Sequence, residues 1–292
     1  LEPYKQLYYN ILIYRTPLLY MTGENIVKPC LRWAGGKNWL IKYLPQIIGD
    51  TAFDNYHEPF LGGASVFLSI KPSQQAFLSD LNEDLIKTYI ALRDSPYDII
   101  KVLCTYSNDK DSYYKIRSEH PQDEITRAAR FIYLNQTSFN GIYRVNLKGE
   151  YNVPYGFREK EFLNEKTLLD VSNALQNAIL RYGDFDLVRQ NIKPNDLVFL
   201  DPPYTVSHNN NGFIKYNQKI FSLEDQIRLN SLIQYIKKIG AYYILTNAAH
   251  ETIKEIFNNG DWCIELNRAS LIGGINAKRG QTKEYIFTNL IK

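Results

Sequence analysis

Between Asn55 and Asp80 the chain spells out a short strand, a glycine turn, a helix and a second strand that ends on an acid. Asn55–Phe60 reads as the first strand, Leu61-Gly62-Gly63 as the turn, Ala64–Ile70 as the helix and Gln75–Ser79 as the second strand. That succession opens a doubly wound α/β sheet, whose ligands sit at the carboxyl ends of its strands. Glu83–Arg93 follows with helical spacing, placing Leu85, Ile86, Tyr89 and Ile90 on one side. From about Ser95 to Tyr155 the chain turns polar and helix-like, rich in Tyr, Asn, Lys and Arg. The alternation then resumes with strands at Ile179–Tyr182 and Leu197–Leu200, a helix at Leu223–Ile239 and a strand at Ala241–Thr246. Trp262–Leu266 and Glu284–Thr288 are the last two strand candidates. The reading is a catalytic core over 23–94 and 156–292, with a mainly helical insertion over 95–155.

Composition narrows the class of protein. A chain of 292 residues with 45% hydrophobic and 22% charged residues is an ordinary globular protein. Its net charge of +3 permits nucleic-acid binding without requiring it. Cys30, Cys104 and Cys263 stand far apart with no Cys-x-x-Cys or Cys/His pairing, so neither a disulfide framework nor a zinc site is indicated. The four histidines are equally scattered, no metal is expected, and an intracellular, reducing compartment is the default. Leu1–Tyr20 is apolar but broken by Lys5 and Arg15, too interrupted for a membrane span and lacking the layout of a signal peptide. Met21 is the sole methionine, and residues 1–22 read as a non-essential extension.

Four segments carry the chemistry. Asp201-Pro202-Pro203-Tyr204 follows the apolar strand Leu197–Leu200, so a carboxylate stands at a strand's carboxyl end and two prolines stiffen the turn to an aromatic ring. Such a pairing suits gripping a flat, amino-bearing ring by its edge and face, and it resembles the D-P-P-Y signature of amino-group DNA methyltransferases. Arg32-Trp33-Ala34-Gly35-Gly36-Lys37 offers close backbone approach, a ring and a cation. Glu58–Phe67 fills the first strand-to-helix turn, yet is neither G-x-G-x-x-G nor a Walker loop, which suits a nucleotide-like cofactor without a pyrophosphate. Asp80, in Ser79-Asp80-Leu81-Asn82, is placed to accept ribose hydroxyls. Taken singly, each has a plain structural reading: the glycines a simple turn, Trp33 a core residue, Asp80 a helix cap. Jointly, in this order, they favour a cofactor site.

In that order the segments resemble the Dam-type DNA adenine-N6 methyltransferases. The likeness continues through Tyr133-Leu134-Asn135, Phe139–Asn146 and Lys148–Gly156, then Phe213–Tyr216, Phe221–Gln226 and Lys278-Arg279-Gly280, covering nearly all of the chain after Met21. It implies a Rossmann-like methyltransferase sheet and S-adenosylmethionine as methyl donor, held by Trp33, Lys37, Asp80 and Asp201. Asp201 and the carbonyl of Pro202 would accept the two N6 hydrogens of an adenine extruded from duplex DNA, with Tyr204 stacked on the base. Arg144 is the leading reader of a guanine edge and Arg32 a second, with a phosphate contact the alternative for Arg144. Asn140, Pro154, Lys148 and Arg279 complete the expected DNA surface, Lys148 and Arg279 toward phosphates. GATC is the leading recognition site, a companion restriction endonuclease an implied partner, and a monomer the expected state. Rival readings are another amino-group methyltransferase, an idle DNA-binding module, or a metal-dependent nuclease built on Glu58, Asp80 and Asp201.

Overall fold

A computed structural model describes residues 27–146, 148–158, 161–204, 221–269 and 281–290. The expected extension over 1–22, Arg279 and the Phe213–Tyr216 and Lys278–Gly280 segments lie outside the described residues. Among the described residues, seven strands form one sheet in the order β3-β2-β1-β4-β5-β7-β6. β1 (Tyr56–Glu58), β2 (Ala76–Asp80), β3 (Ala178–Tyr182), β4 (Leu197–Leu200) and β5 (Tyr242–Ala248) run parallel. β6 (Trp262–Ala269) and β7 (Gln281–Thr288) are antiparallel partners, and β7 wedges between β5 and β6. Strand order reverses between β1 and β4, which puts the switch-point crevice beyond Glu58 and Asp201.

Local chemistry accounts for these elements. β4 is buried along its whole length, as a central parallel strand covered on both faces must be. β1 is shorter than the apolar run suggests, because Pro59 has no N–H to donate and the glycine turn follows at once. α1 (Leu44–Ile48) and α2 (Ser65–Ile70) precede β2, and α3 (Glu83–Asp94) follows it. Asn82, not Asp80, caps α3, its side chain accepting the Leu85 N–H at 3.0 Å.

The stretch 95–155 begins with α4 (Pro96–Leu103), α5 (Lys110–Ser118) and α6 (Glu124–Thr137). Asp109 and Asp123 cap the latter two through the N–H groups of Ser112 and Thr126. Its polar character hides an apolar face: Ile99, Leu103, Tyr113, Ala129 and Tyr133 are buried in the same core cluster as Leu78, Leu85 and Phe199. Beyond α6 this stretch is not α-helical, with one 3-10 turn at Phe139–Gly141. Ser138 bridges Tyr155 and Val145 bridges Tyr151, both antiparallel, making a narrow hairpin. Gly156 closes it tightly, since a Cβ there would stand 2.6 Å from the Ser138 carbonyl oxygen. α7 (Glu165–Leu175) then leads to β3, while α8 (Leu223–Lys238) and α9 (Glu251–Ile256) flank β5.

Candidate active site

The carboxyl edge of the sheet gathers a buried polar network around Lys37. The strand end at Leu200 delivers Asp201, whose Oδ1 lies 2.8 Å from Lys37 Nζ and accepts the Thr246 hydroxyl at 2.7 Å. Lys37 Nζ also donates to the Gly35 carbonyl at 3.0 Å and sits 5.0 Å from the centre of the Tyr204 ring. Its own backbone N–H donates to Ser65 Oγ at 3.2 Å, tying the Gly-Gly loop to the start of α2. Tyr204 donates its hydroxyl to Glu284 Oε2 at 2.5 Å, and that oxygen is 3.9 Å from Lys37 Nζ. Three segments far apart in sequence thus meet at one ammonium.

Glu58 and Asp80 complete the acidic lining. Glu58 is buried at the end of β1, where Oε2 accepts the Tyr56 hydroxyl at 2.7 Å and the Phe67 N–H at 3.0 Å. Burial pushes its carboxyl up to about 8; the Tyr56 hydrogen bond opposes this, while the charges of Asp201 and Asp80 add to it. Asp80 accepts the Gly62 N–H on Oδ2 and the Asn82 N–H on Oδ1, both at 2.9 Å. Burial raises its pKa, and those two N–H groups hold the rise in check. Among the described residues no group of His, Cys, Asp and Glu is arranged to hold a metal ion.

Trp33 and the glycine pair meet each other. A Cβ at Gly62, where φ is +47°, would lie 2.7 Å from Trp33 Cδ1, and one at Gly63 would lie 3.1 Å from Trp33 Cβ. The indole also stacks on Tyr143 (5.7 Å between centroids) and Phe131 (6.5 Å). Those two rings are only 5.2 Å apart, so they occupy the same side of the indole. The close approach expected of these glycines is therefore filled by a ring of the protein. Trp33 joins the glycine turn to α6 and the hairpin.

Asn135 makes the second such joint, and sequence reasoning passed over its role. Its Oδ1 accepts the Arg32 N–H at 2.7 Å, and its Nδ2 donates to the carbonyls of Arg32 (2.7 Å) and Gly141 (3.3 Å). The Arg32 side chain crosses Gly141, where a Cβ would be 2.6 Å away. Its Nη1 is buried without a hydrogen-bond partner among the described residues, and its pKa is lowered by burial and by Arg158 nearby. Arg32 thus belongs with the hairpin as much as with the Gly-Gly loop.

Asn140, Arg144, Lys148 and Pro154, four of the expected DNA contacts, lie along that hairpin. Asn140 and Gly141 adopt positive φ (55° and 63°), as an Asn-Gly turn does. Arg144 is exposed on the stem, with Nε donating to Asn152 Oδ1 at 2.7 Å. Pro154 is exposed and its carbonyl accepts the Phe139 N–H; Lys148 is exposed at the tip. Phe139 (52% exposed) and Phe157 (72%) also stand out from the surface here. An acidic, pre-organised crevice and a basic, aromatic hairpin share one molecule.

A doubly wound sheet of this order, with an acid-Pro-Pro-Tyr loop at its carboxyl edge, defines an α/β methyltransferase acting on an amino group. Residues 33–270 match the family described as D12 class N6 adenine-specific DNA methyltransferase, and the chain belongs to it. The chain is 30% identical over 275 residues to the Type II methyltransferase M1.LlaDCHI of Lactococcus lactis subsp. cremoris, covering 90% of this chain and 95% of that one. It is 34% identical over 244 residues to the Type II methyltransferase M.MjaIII of Methanocaldococcus jannaschii, covering 76% and 84%. Against the DNA adenine methylase of Escherichia coli (strain K12) it is 31% identical over 233 residues, covering 76% and 81%. The protein is an adenine-N6 DNA methyltransferase, and its family implies S-adenosylmethionine as the methyl donor.

Proposed function

We propose that the crevice beyond β1, β2 and β4 holds S-adenosylmethionine and that Asp201, Pro202 and Tyr204 present an extruded adenine to it. The observation that carries this reading is the ion pair of Lys37 and Asp201, which brings the Gly-Gly loop and the D-P-P-Y turn to one point. The donor set fits the cofactor: Asp201 and Glu284 flank the buried Lys37 and Asp80 adds a further acid nearby, an excess of acid that suits a ligand bearing a sulfonium and an ammonium. When bound, the cofactor supplies an electrophilic methyl group. Trp33 and Lys37 line the pocket. Asp80 keeps a second lone pair on each oxygen for ribose hydroxyls, even with both oxygens already holding N–H groups.

Adenine N6 is a weak nucleophile because its lone pair is delocalised into the ring. Asp201 Oδ1 already accepts from Thr246 and Lys37, so Oδ2 is the oxygen that receives one N6 hydrogen, and the Pro202 carbonyl receives the other. Holding both hydrogens favours a pyramidal nitrogen whose lone pair points at the methyl carbon. The work is positioning and electrostatic stabilisation, with no strong base. Tyr204 stacking returns about 1–3 kcal/mol of the few lost on extruding the base.

The hairpin supplies sequence recognition in this reading. Arg144 reads a guanine with Arg32 the second candidate reader, Asn140 and Pro154 belong to the DNA surface, and Lys148 and Arg279 contact phosphates, with GATC the leading site. A monomer acting on intracellular DNA suffices. A companion restriction endonuclease is supported by relatives named Type II methyltransferases. Methylation-aware sequencing of DNA from cells expressing the chain tests all of this at once. The expected result is N6-methyladenine in one short motif; N4-methylcytosine, or no modification, would overturn the reading.

A further inference from the structure

In the sequence Glu284 marks only the start of a terminal strand candidate, yet it lies at the centre of the site. It is fully buried on β7, opposite Ala248 of β5 and Leu266 of β6. One oxygen, Oε2, receives the Tyr204 hydroxyl at 2.5 Å and stands 3.9 Å from Lys37 Nζ. The same ammonium pairs with Asp201 at 2.8 Å and lies over the Tyr204 ring. Burying a carboxylate is unfavourable unless it is paired, and these partners are two residues of the proposed chemistry. A carboxylate there for stability alone has no need to engage both.

We propose that Glu284 is a positioning residue for methyl transfer: its carboxylate fixes the Tyr204 hydroxyl and, together with Asp201, the Lys37 ammonium. The ring that receives the adenine is thereby set at a constant place relative to the carboxylate that orients N6. Tyr204 ends the stiff Pro-Pro turn, but the turn leaves its side-chain torsions free. The hydrogen bond to Glu284 holds the far end of the ring. The inference rests on the reading of Tyr204 as a stacking platform and adds what holds that platform still.

A double-mutant cycle tests it. Glu284→Gln and Tyr204→Phe should each lower kcat by about tenfold with a smaller change in KM for DNA, since a displaced ring costs orientation more than binding. The double variant should be no worse than the poorer single one, because both act on the same link, Tyr204→Phe removing its hydroxyl and Glu284→Gln its negative charge. With 2-aminopurine at the target position, Tyr204→Phe should give brighter emission than the wild type, reporting an extruded base that stacks less well. Wild-type kcat and emission in Tyr204→Phe, or fold-losses that multiply in the double variant, would overturn the proposal. Should Glu284→Gln fail to fold, Tyr204→Phe alone decides through those two readouts. Tyr204→Ala separates the layers: if it is inactive while Glu284→Gln and Tyr204→Phe behave as wild type, the stacking role stands and the positioning role falls. If Tyr204→Ala is itself fully active, the stacking role is what fails.

Discussion

At the carboxyl edge of the sheet, Lys37, Asp201, Thr246, Tyr204 and Glu284 hold one another in a buried network. Along the hairpin from Ser138 to Gly156, Asn140, Arg144, Lys148 and Pro154 are exposed, and Arg144 leans on Asn152 of the opposite stem. The first region has settled its electrostatics before any substrate arrives. The second keeps its charges at the surface, where a polyanion can replace local partners. Catalysis by positioning needs donors and acceptors that do not reorganise, whereas recognition needs side chains whose best partner is the ligand. Substitutions in the two regions should therefore fail in different ways.

The largest expected effect is at Asp201. Asp201→Ala should lower methyl transfer by about 10²–10³-fold, on the scale of losing a central electrostatic group, while duplex binding survives. It also strips Lys37 of its 2.8 Å partner, so a lower melting temperature should accompany the loss. Normal turnover in a folded variant would remove Asp201 from the mechanism. DNA affinity that collapsed with turnover would break the division between the two regions.

Glu58 comes next, as a test of how settled the buried edge is. The fold keeps its carboxyl protonated up to about 8, whereas the unfolded chain ionises near the ordinary 4.5. Between those values the unfolded state binds fewer protons, so stability falls as pH rises, by at most about 1.4 kcal/mol per pH unit. Below 4.5 the contribution is fully present, and above 8 it has been lost. Glu58→Gln should flatten that slope in melts taken from pH 5 to 8.5. An unchanged slope would assign the pH dependence to other groups.

On the hairpin, Arg144→Ala should cost about 1–3 kcal/mol of discrimination at one base pair and leave the salt dependence of binding nearly unaltered. Turnover on a panel of single-base site variants at two salt concentrations checks this. A uniform loss, with a shallower salt slope, would place Arg144 on phosphate instead. Lys148→Ala should have the smallest effect: unchanged site preference and a salt slope reduced by about one unit. A change of preference there would extend base reading to the hairpin tip.

Much of the sheet was legible because its strands are apolar runs bounded by turn residues. Leu197–Leu200 is found where the pattern puts it, and Asp80 and Asp201 end their strands as expected. Strand order was not legible: β7 enters between β5 and β6, and no local pattern encodes a pairing partner. Glu284 escaped for the same reason, since one acid in a terminal strand looks solvated until the sheet closes over it. The hairpin was hidden inside a stretch that reads as helical, held by two isolated bridges instead of an alternating ladder. At Gly62 and Gly63 the spacing reveals a need for room and is silent on Trp33, which fills the space a Cβ would take.

The clamp at Asn135 bears on how such an enzyme can change its target. Asn135 grips the main-chain N–H and carbonyl of residue 32, and nothing in that grip depends on the arginine side chain. A lineage can therefore exchange the residue at 32 while the loop stays docked. Exchanging the stretch 95–155 as a cassette is a different matter, because Phe131, Asn135 and Tyr143 are fitted to Trp33 and its neighbours. Chimeras that graft this stretch from a relative should retain a working crevice only when residues 30–33 and 62–63 travel with it.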